Sequence, residues 1–179
     1  MRKNIKKFFW AWEFEKEEKW LNEMSAKGLA LIDCSFCRYS FEECEPGEYG
    51  FKIQLLEHRP SHPESEQYIR FMEETGAEQI ANFSTWVYFR KKTSDGPFEI
   101  FSDYESKIKH LNLIKNLFFT VGIANFVVAV GNFINFGFNA PMLVWIPFIN
   151  VFCFGACVFG AIKIGKKIAE LKKEQTIHE

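Results

Sequence analysis

The chain has 179 residues, of which 47% are hydrophobic and 25% charged, and its net charge is -1. Residues 1–101 hold fourteen Lys and Arg against eighteen acids, whereas residues 102–179 hold eight against five. The acidic first part argues against a phosphate-binding surface and so against nucleic acid as a partner. The run 116–162, with no Asp, Glu, Lys, Arg or His, excludes a single soluble domain.

Residues 6–12 form a short β-prone run. A helix follows over 14–27, with Phe14, Leu21 and Met24 on one face, Trp20 beside them and Gly28 as C-cap. Residues 29–41 read as one strand whose alternation changes phase near Ser35 and Phe36, where a bulge or bend is expected. Glu45-Pro46-Gly47-Glu48 suits a type II turn. Tyr49, Phe51, Ile53 and Leu55 then alternate with Gly50, Lys52 and Gln54 as the core face of a strand. Residues 61–75 form a second helix, with Pro63 in its first turn and Gly76 after it. Residues 78–92 read as a last strand through Trp86-Val87-Tyr88-Phe89.

A weak internal repeat runs through this part. Trp20-Leu21, Met24, Gly28 and Ile32 recur forty-eight residues later as Tyr68-Ile69, Met72, Gly76 and Ile80. The order β-α-β-β-α-β with two right-handed crossovers predicts an α+β, ferredoxin-like βαββαβ domain over residues 1–92. Its four-stranded antiparallel sheet is backed by two helices.

Residues 93–101, with Asp95-Gly96-Pro97, form a linker. Ser102 and Glu105 make a capping box for a juxtamembrane helix over 102–116. An antiparallel two-helix transmembrane hairpin follows over 117–162, with spans 117–138 and 142–162 turning at Asn139-Ala140-Pro141. Each span has the ~20 apolar residues that cross a ~30 Å hydrocarbon core. A basic helix and tail over 163–179 close the chain. Lys107, Lys109 and Lys115 precede the hairpin, and Lys163, Lys166, Lys167, Lys172 and Lys173 follow it, so both termini are expected in the cytoplasm of a two-span membrane protein. Arg2, Lys3, Lys6 and Lys7 are followed by too short an apolar run for a signal peptide.

Folding the spans about Pro141 sets Gly122 against Gly160, Asn125 against Cys157, Ala129 against Cys153, and Asn132 against Asn150. Small residues let helices approach closely in lipid, and an Asn pair can hydrogen-bond across the seam. The same register continues as Phe118 with Ile164, Ile114 with Ile168 and Leu111 with Leu171, a short cytoplasmic stalk.

Cys34, Cys37, Cys44, His58 and His62 raise the question of zinc. A three-residue step inside a strand puts Cys34 and Cys37 on opposite faces, so ordinary thiols are expected, with no metal and no cofactor. Tyr49-Gly50-Phe51 resembles the centre of an RNA-binding strand motif but lacks its basic leader. No phosphate loop or nucleophile motif is present, so no catalytic residue is assigned and the chain is not read as an enzyme. Glu13, Glu15, Glu17 and Glu18 are read as acids favouring the first helix dipole. Trp10, Trp12, Trp86 and Tyr88 fall on two strands that are neighbours in the ferredoxin-like plan. They form either core or a patch for self-association or a ligand.

The stretches 18–29, 46–49, 86–91 and 104–108 together resemble an uncharacterised family of small bacterial membrane proteins, mostly from Firmicutes. Its members join a cytoplasmic-type domain to a hydrophobic hairpin and are often encoded beside PadR-type transcriptional regulators. The resemblance implies a regulatory or envelope-stress setting and carries over no functional residues. The resulting expectation is a membrane-anchored, non-enzymatic regulatory or adaptor protein whose head binds a partner, itself or a small ligand. The alternative is an accessory subunit or small oligomeric component of a transport system.

Overall fold

The computed structural model describes residues 2–136 and 145–178. The chain divides into two compact units, Met1–Ser102 and Asp103–Glu179.

The first unit is α+β. Its elements are β1 (Lys3–Lys6), a one-turn 3-10 helix (Ala11–Glu13), α1 (Phe14–Ser25), β2 (Leu29–Ser35), β3 (Arg38–Glu43), β4 (Tyr49–Leu55), α2 (Pro63–Glu74), β5 (Ala77–Phe83) and β6 (Trp86–Lys92). They form two antiparallel three-stranded sheets, ordered β1-β3-β2 and β4-β6-β5, in place of the expected four-stranded ferredoxin-like sheet. Both expected long strands are hairpins. Residues 29–41 break at a two-residue tip, Phe36-Cys37, closed by Ser35 opposite Arg38. Residues 78–92 break likewise at Ser84-Thr85, closed by Phe83 opposite Trp86. Cys37 and Ser84 take left-handed φ values of 59° and 57°, which let the chain reverse without glycine. The phase change near Ser35 was thus a reversal of direction. The true bulges lie between Leu31 and Asp33 and between Gln79 and Ala81.

These features recur at the forty-eight-residue interval seen in the sequence. Strands β2 and β5, their bulges, their hairpins, and the left-handed glycines Gly28 and Gly76 all correspond. The unit is therefore a tandem of two β-α-β-β modules with the same sheet order. Gly28 and Gly76 end α1 and α2 with φ of 78° and 86°, a region that costs an L side chain ~1–2 kcal/mol. The turn 45–48 forms as expected, with Glu48 N–H donating to Glu45 O at 3.0 Å and Gly47 at φ 76°.

The modules share one core, and the second module has another of its own. Leu21 and Met24 of α1, Leu31 and Phe41 of the first sheet, and Phe51 and Ile53 of the second form one core. Ile69 and Met72 of α2 meet Val87, Phe89 and Leu56 in the other. Alternation along β6 divides the work: Tyr88 faces the first core, and Val87 and Phe89 the second. Phe41, Phe51 and Phe89 are fully buried, each worth ~1.5–3 kcal/mol of apolar transfer.

One free sheet edge is closed by side chains. Strand β4 pairs only with β6, so its outer backbone groups need other partners. Helix α1 supplies them at i, i+4 and i+7. Ile53 N–H donates to Glu18 Oε2 at 3.2 Å, and Phe51 N–H donates to Asn22 Oδ1 at 2.8 Å. Asn22 Nδ2 donates back to Phe51 O at 3.0 Å, and Ser25 Oγ donates to Tyr49 O at 2.6 Å. Arg70 and Glu73, the forty-eight-residue counterparts of Asn22 and Ser25 on α2, are exposed.

The second unit contains α3 (Tyr104–Phe136) and α4 (Trp145–His178), each long and apolar enough to cross a membrane. Helix α3 is continuous through residues 104–136, joining the stretch expected before the membrane to the expected first span. Its cap is Asp103, whose Oδ1 accepts from Ser106 N–H at 2.7 Å, one residue beyond the expected Ser102 box. The turn at Asn139-Ala140-Pro141 lies outside the described residues. Helices α3 and α4 pack on each other through buried Leu111, Ile114, Phe118, Ile164, Ile168 and Leu171. Phe119, Val127, Phe152 and Phe159 on the same helices are exposed.

Candidate ligand pocket

A cavity of about 430 Å³ opens in the first unit where the tips of both hairpins meet the segment after β1. That size falls in the range of small-molecule sites. Its wall is aromatic, with Phe9, Trp10, Phe14, Trp86 and Tyr88 among its residues. Phe14 and Trp86 lie 5.7 Å apart between centroids, and the tip residues Phe36 and Phe83 lie 6.2 Å apart. Phe8, Trp10, Phe36 and Phe83 are exposed, so the rim presents apolar rings to solvent.

The cavity reaches a buried carboxylate. Glu17 of α1 is 8% exposed, and its Oε1 accepts from Tyr39 Oη at 2.8 Å and from Tyr88 Oη at 2.7 Å. Tyr39 comes from the first module and Tyr88 from the second, so the group joins them. Burial raises the Glu17 carboxyl above its ordinary value, and the two tyrosine hydrogen bonds oppose that rise. Burial likewise pushes both tyrosines up, and their neighbour Glu17 adds to it. The Cys34 thiol beside them is pushed up to about 12 by burial. At neutral pH it is therefore a neutral thiol and a poor nucleophile.

Of the four residues proposed as an interaction surface, Trp10, Trp86 and Tyr88 line this cavity. Trp12 stacks on Trp10 with centroids 4.7 Å apart and an interplanar angle of 7°. Their placement differs from the sequence expectation. Strand β1 ends at Lys6 and pairs with β3, so Trp10 lies after it and Trp12 in the 3-10 turn. The sequence reading took Glu17 for an acid favouring the helix dipole and missed its place in the pocket. Its signal was available: Glu17 sits three residues after Phe14 and four before Leu21, so a carboxylate interrupts the apolar stripe of α1.

Of the residues considered for zinc, Cys34 and Cys37 lie by the tip of the first hairpin and line the same cavity. They are not on opposite faces of one strand, because the chain reverses between them; the others lie elsewhere. Cys34 is buried on β2, and Cys37 is at the hairpin tip. Cys44 lies past the far end of β3, where its N–H donates to Gly28 O. His58 and His62 stack at 4.1 Å before α2 and, with Glu64, form an exposed trio whose ligand atoms lie within 4.8 Å.

In the helical hairpin, Gly122, Ala129 and Gly160 are buried, and Asn125, Asn132, Asn150, Cys153 and Cys157 are half-buried. Gly122 faces Cys157 and Phe154, about one turn from the expected Gly160: a Cβ there would lie 3.2 Å from Cys157 Cβ. Asn125 and Asn150 turn their amides onto their own helices, donating to Val121 O at 2.9 Å and Ile146 O at 3.0 Å. Asn150, expected to meet Asn132 across the seam, thus donates within its own helix.

No curated protein and no solved structure matches this chain. One family model does, over residues 13–123, which takes in α1, both hairpins and the first half of α3. The chain accordingly belongs to the family described as Protein of unknown function (DUF2812).

Proposed function

We propose that this chain is a membrane-anchored, non-enzymatic regulatory protein whose head binds a small ligand in the aromatic pocket between its modules. The observation that carries this reading is the pocket itself: an open, ring-lined cavity with a buried polar group at its inner end. Apolar surroundings with a few placed polar groups are what orient a small ligand. The neutral Cys34 thiol and the hydrogen-bonded Glu17 support binding over catalysis.

The helical hairpin is the anchor in this reading. Two apolar helices with outward-facing Phe, Val and Ile suit lipid, and the lysines at both ends favour a cytoplasmic head. The resemblance to proteins encoded beside PadR-type regulators fits a regulatory setting. The transport-subunit alternative needs a polar seam, and the inward-bonded amides of Asn125 and Asn150 weigh against it.

Two measurements test the proposal. A thermal-shift screen of the full-length chain in nonionic detergent should find aromatic or amphiphilic compounds that raise Tm, with the rise lost in Trp86→Leu. In intact cells, a membrane-impermeant maleimide should leave Cys44 unlabelled until the membrane is opened. Labelling without opening would refute the cytoplasmic head, and ligand shifts unaffected by Trp86→Leu would refute the pocket.

A further inference from the structure

We propose that the pocket is a receptor for a monovalent organic cation, an ammonium or sulfonium on an apolar or aromatic body, with Glu17 as its counter-charge. The inference rests on the ligand-binding reading above and adds the chemical class of the ligand.

The argument starts from what the interior offers. Both tyrosine hydroxyls donate to the same oxygen, Glu17 Oε1. Among the described residues, Oε2 receives no hydrogen bond. Yet among the described residues no fully buried side-chain oxygen lacks a partner. Oε2 therefore keeps some contact with solvent, and Glu17 is part of the cavity lining. An anionic ligand would face a carboxylate there, with the nearest hydroxyl protons already committed. A neutral apolar ligand would seal that carboxylate from water with nothing in return, which is costly. A cation answers both demands, because it takes the place of water at Oε2 and lies against ring faces that attract positive charge.

The rim already shows such a contact. The Lys7 ammonium lies over Phe9 at 4.9 Å and over Trp20 at 4.5 Å from the ring centroids. Lys7 is exposed, so its charge is screened by water, whereas Glu17 is inside. The other titratable groups facing Glu17 are Tyr39 on β3, Tyr88 on β6 and Cys34 on β2. All three are held neutral at physiological pH by burial, so they do not compete for the role. A bound cation favours the ionised form of Glu17. Cation affinity should therefore rise as pH increases above 4.5.

The test uses the full-length chain in nonionic detergent and calorimetry with three aryl probes: benzyltrimethylammonium, benzyl alcohol and benzenesulfonate. The cation should bind at least tenfold more tightly than either other probe. Glu17→Gln should remove that preference and its pH dependence. The wild-type comparison needs no variant, so a folding defect in Glu17→Gln cannot mask the answer. Equal binding of cation and alcohol, or tighter binding of the sulfonate, would overturn the cation assignment and leave the ligand pocket standing. Failure of all three probes to bind would overturn both.

Discussion

Replacing Asn22 with alanine removes three hydrogen bonds at once. Two of them run between Asn22 and the backbone of Phe51, at 2.8 and 3.0 Å, and the third goes to Glu18 O at 2.8 Å. Phe51 is 1% exposed, and its N–H and C=O lie on the free edge of β4. Each buried backbone group left without a partner costs ~1–3 kcal/mol. A neighbouring groove of about 440 Å³, lined by Asn22, Gly50 and Phe98, can admit water to part of that edge. The net loss for Asn22→Ala should then be about 2–4 kcal/mol, a large fraction of the ~5–15 kcal/mol that holds a domain folded. Asn22→Asp keeps an acceptor for Phe51 N–H but sets an oxygen against Phe51 O, so it should cost about as much. Urea unfolding of the full-length chain in nonionic detergent, followed by tryptophan fluorescence, measures both variants. Hydrogen exchange at the Phe51 amide should quicken in Asn22→Ala well before global unfolding. A loss below ~1 kcal/mol with unchanged exchange would refute the idea that α1 closes this edge.

Three further outcomes follow from other parts of the molecule. Gly28→Ala and Gly76→Ala both force alanine into a left-handed φ, costing ~1–2 kcal/mol each. Gly28→Ala should cost more, because its Cβ would meet Cys44 O at 3.0 Å while the nearest atom at Gly76 is the flexible Lys91 Cε at 3.6 Å; paired denaturation curves check the order. Gly122→Cys places two Cβ atoms about 3.2 Å apart, slightly closer than the usual disulfide range and within reach of a small adjustment, so mild oxidation should cross-link it to Cys157, read by peptide mass spectrometry. Glu17→Gln should change the pH dependence of stability. The folded carboxyl lies above its ordinary value of 4.5, so the unfolded state releases its proton first and wild-type stability falls as pH rises beyond that point. The stability of Glu17→Gln relative to wild type should therefore grow from about pH 4.5 upward and level off once the folded carboxyl has ionised; a constant difference across that window would refute the raised value.

The helices and the hairpin were legible because their signals are local and strong. The stripe of Phe14, Leu21 and Met24, the Pro-Gly turn at 46–47 and the uncharged run 116–162 each require only nearby residues. The sheet was misread because its hairpin tips carry Phe36-Cys37 and Ser84-Thr85, without the glycine or asparagine that usually marks a tight reversal. Strand counts of thirteen and fifteen residues were themselves a warning, since ordinary strands run to about six. The repeat was visible at five positions, yet its module could not be drawn while each hairpin counted as one strand. Three of the four proposed aromatic residues do line one cavity, but Glu17 became visible only when Tyr39 and Tyr88 arrived from distant strands. The hairpin register was off by about one turn at Gly122, because Cys157 and Phe154 fill the space opposite it.

The tandem arrangement has a direction. The helix of the first copy lends three polar side chains to the rim of the second, and the corresponding helix of the second bears Arg70 and Glu73 turned to solvent, so it offers nothing to a third. Because the carboxylate comes from one module and a tyrosine from the other, the chamber exists only where the two modules meet, and neither could form it alone.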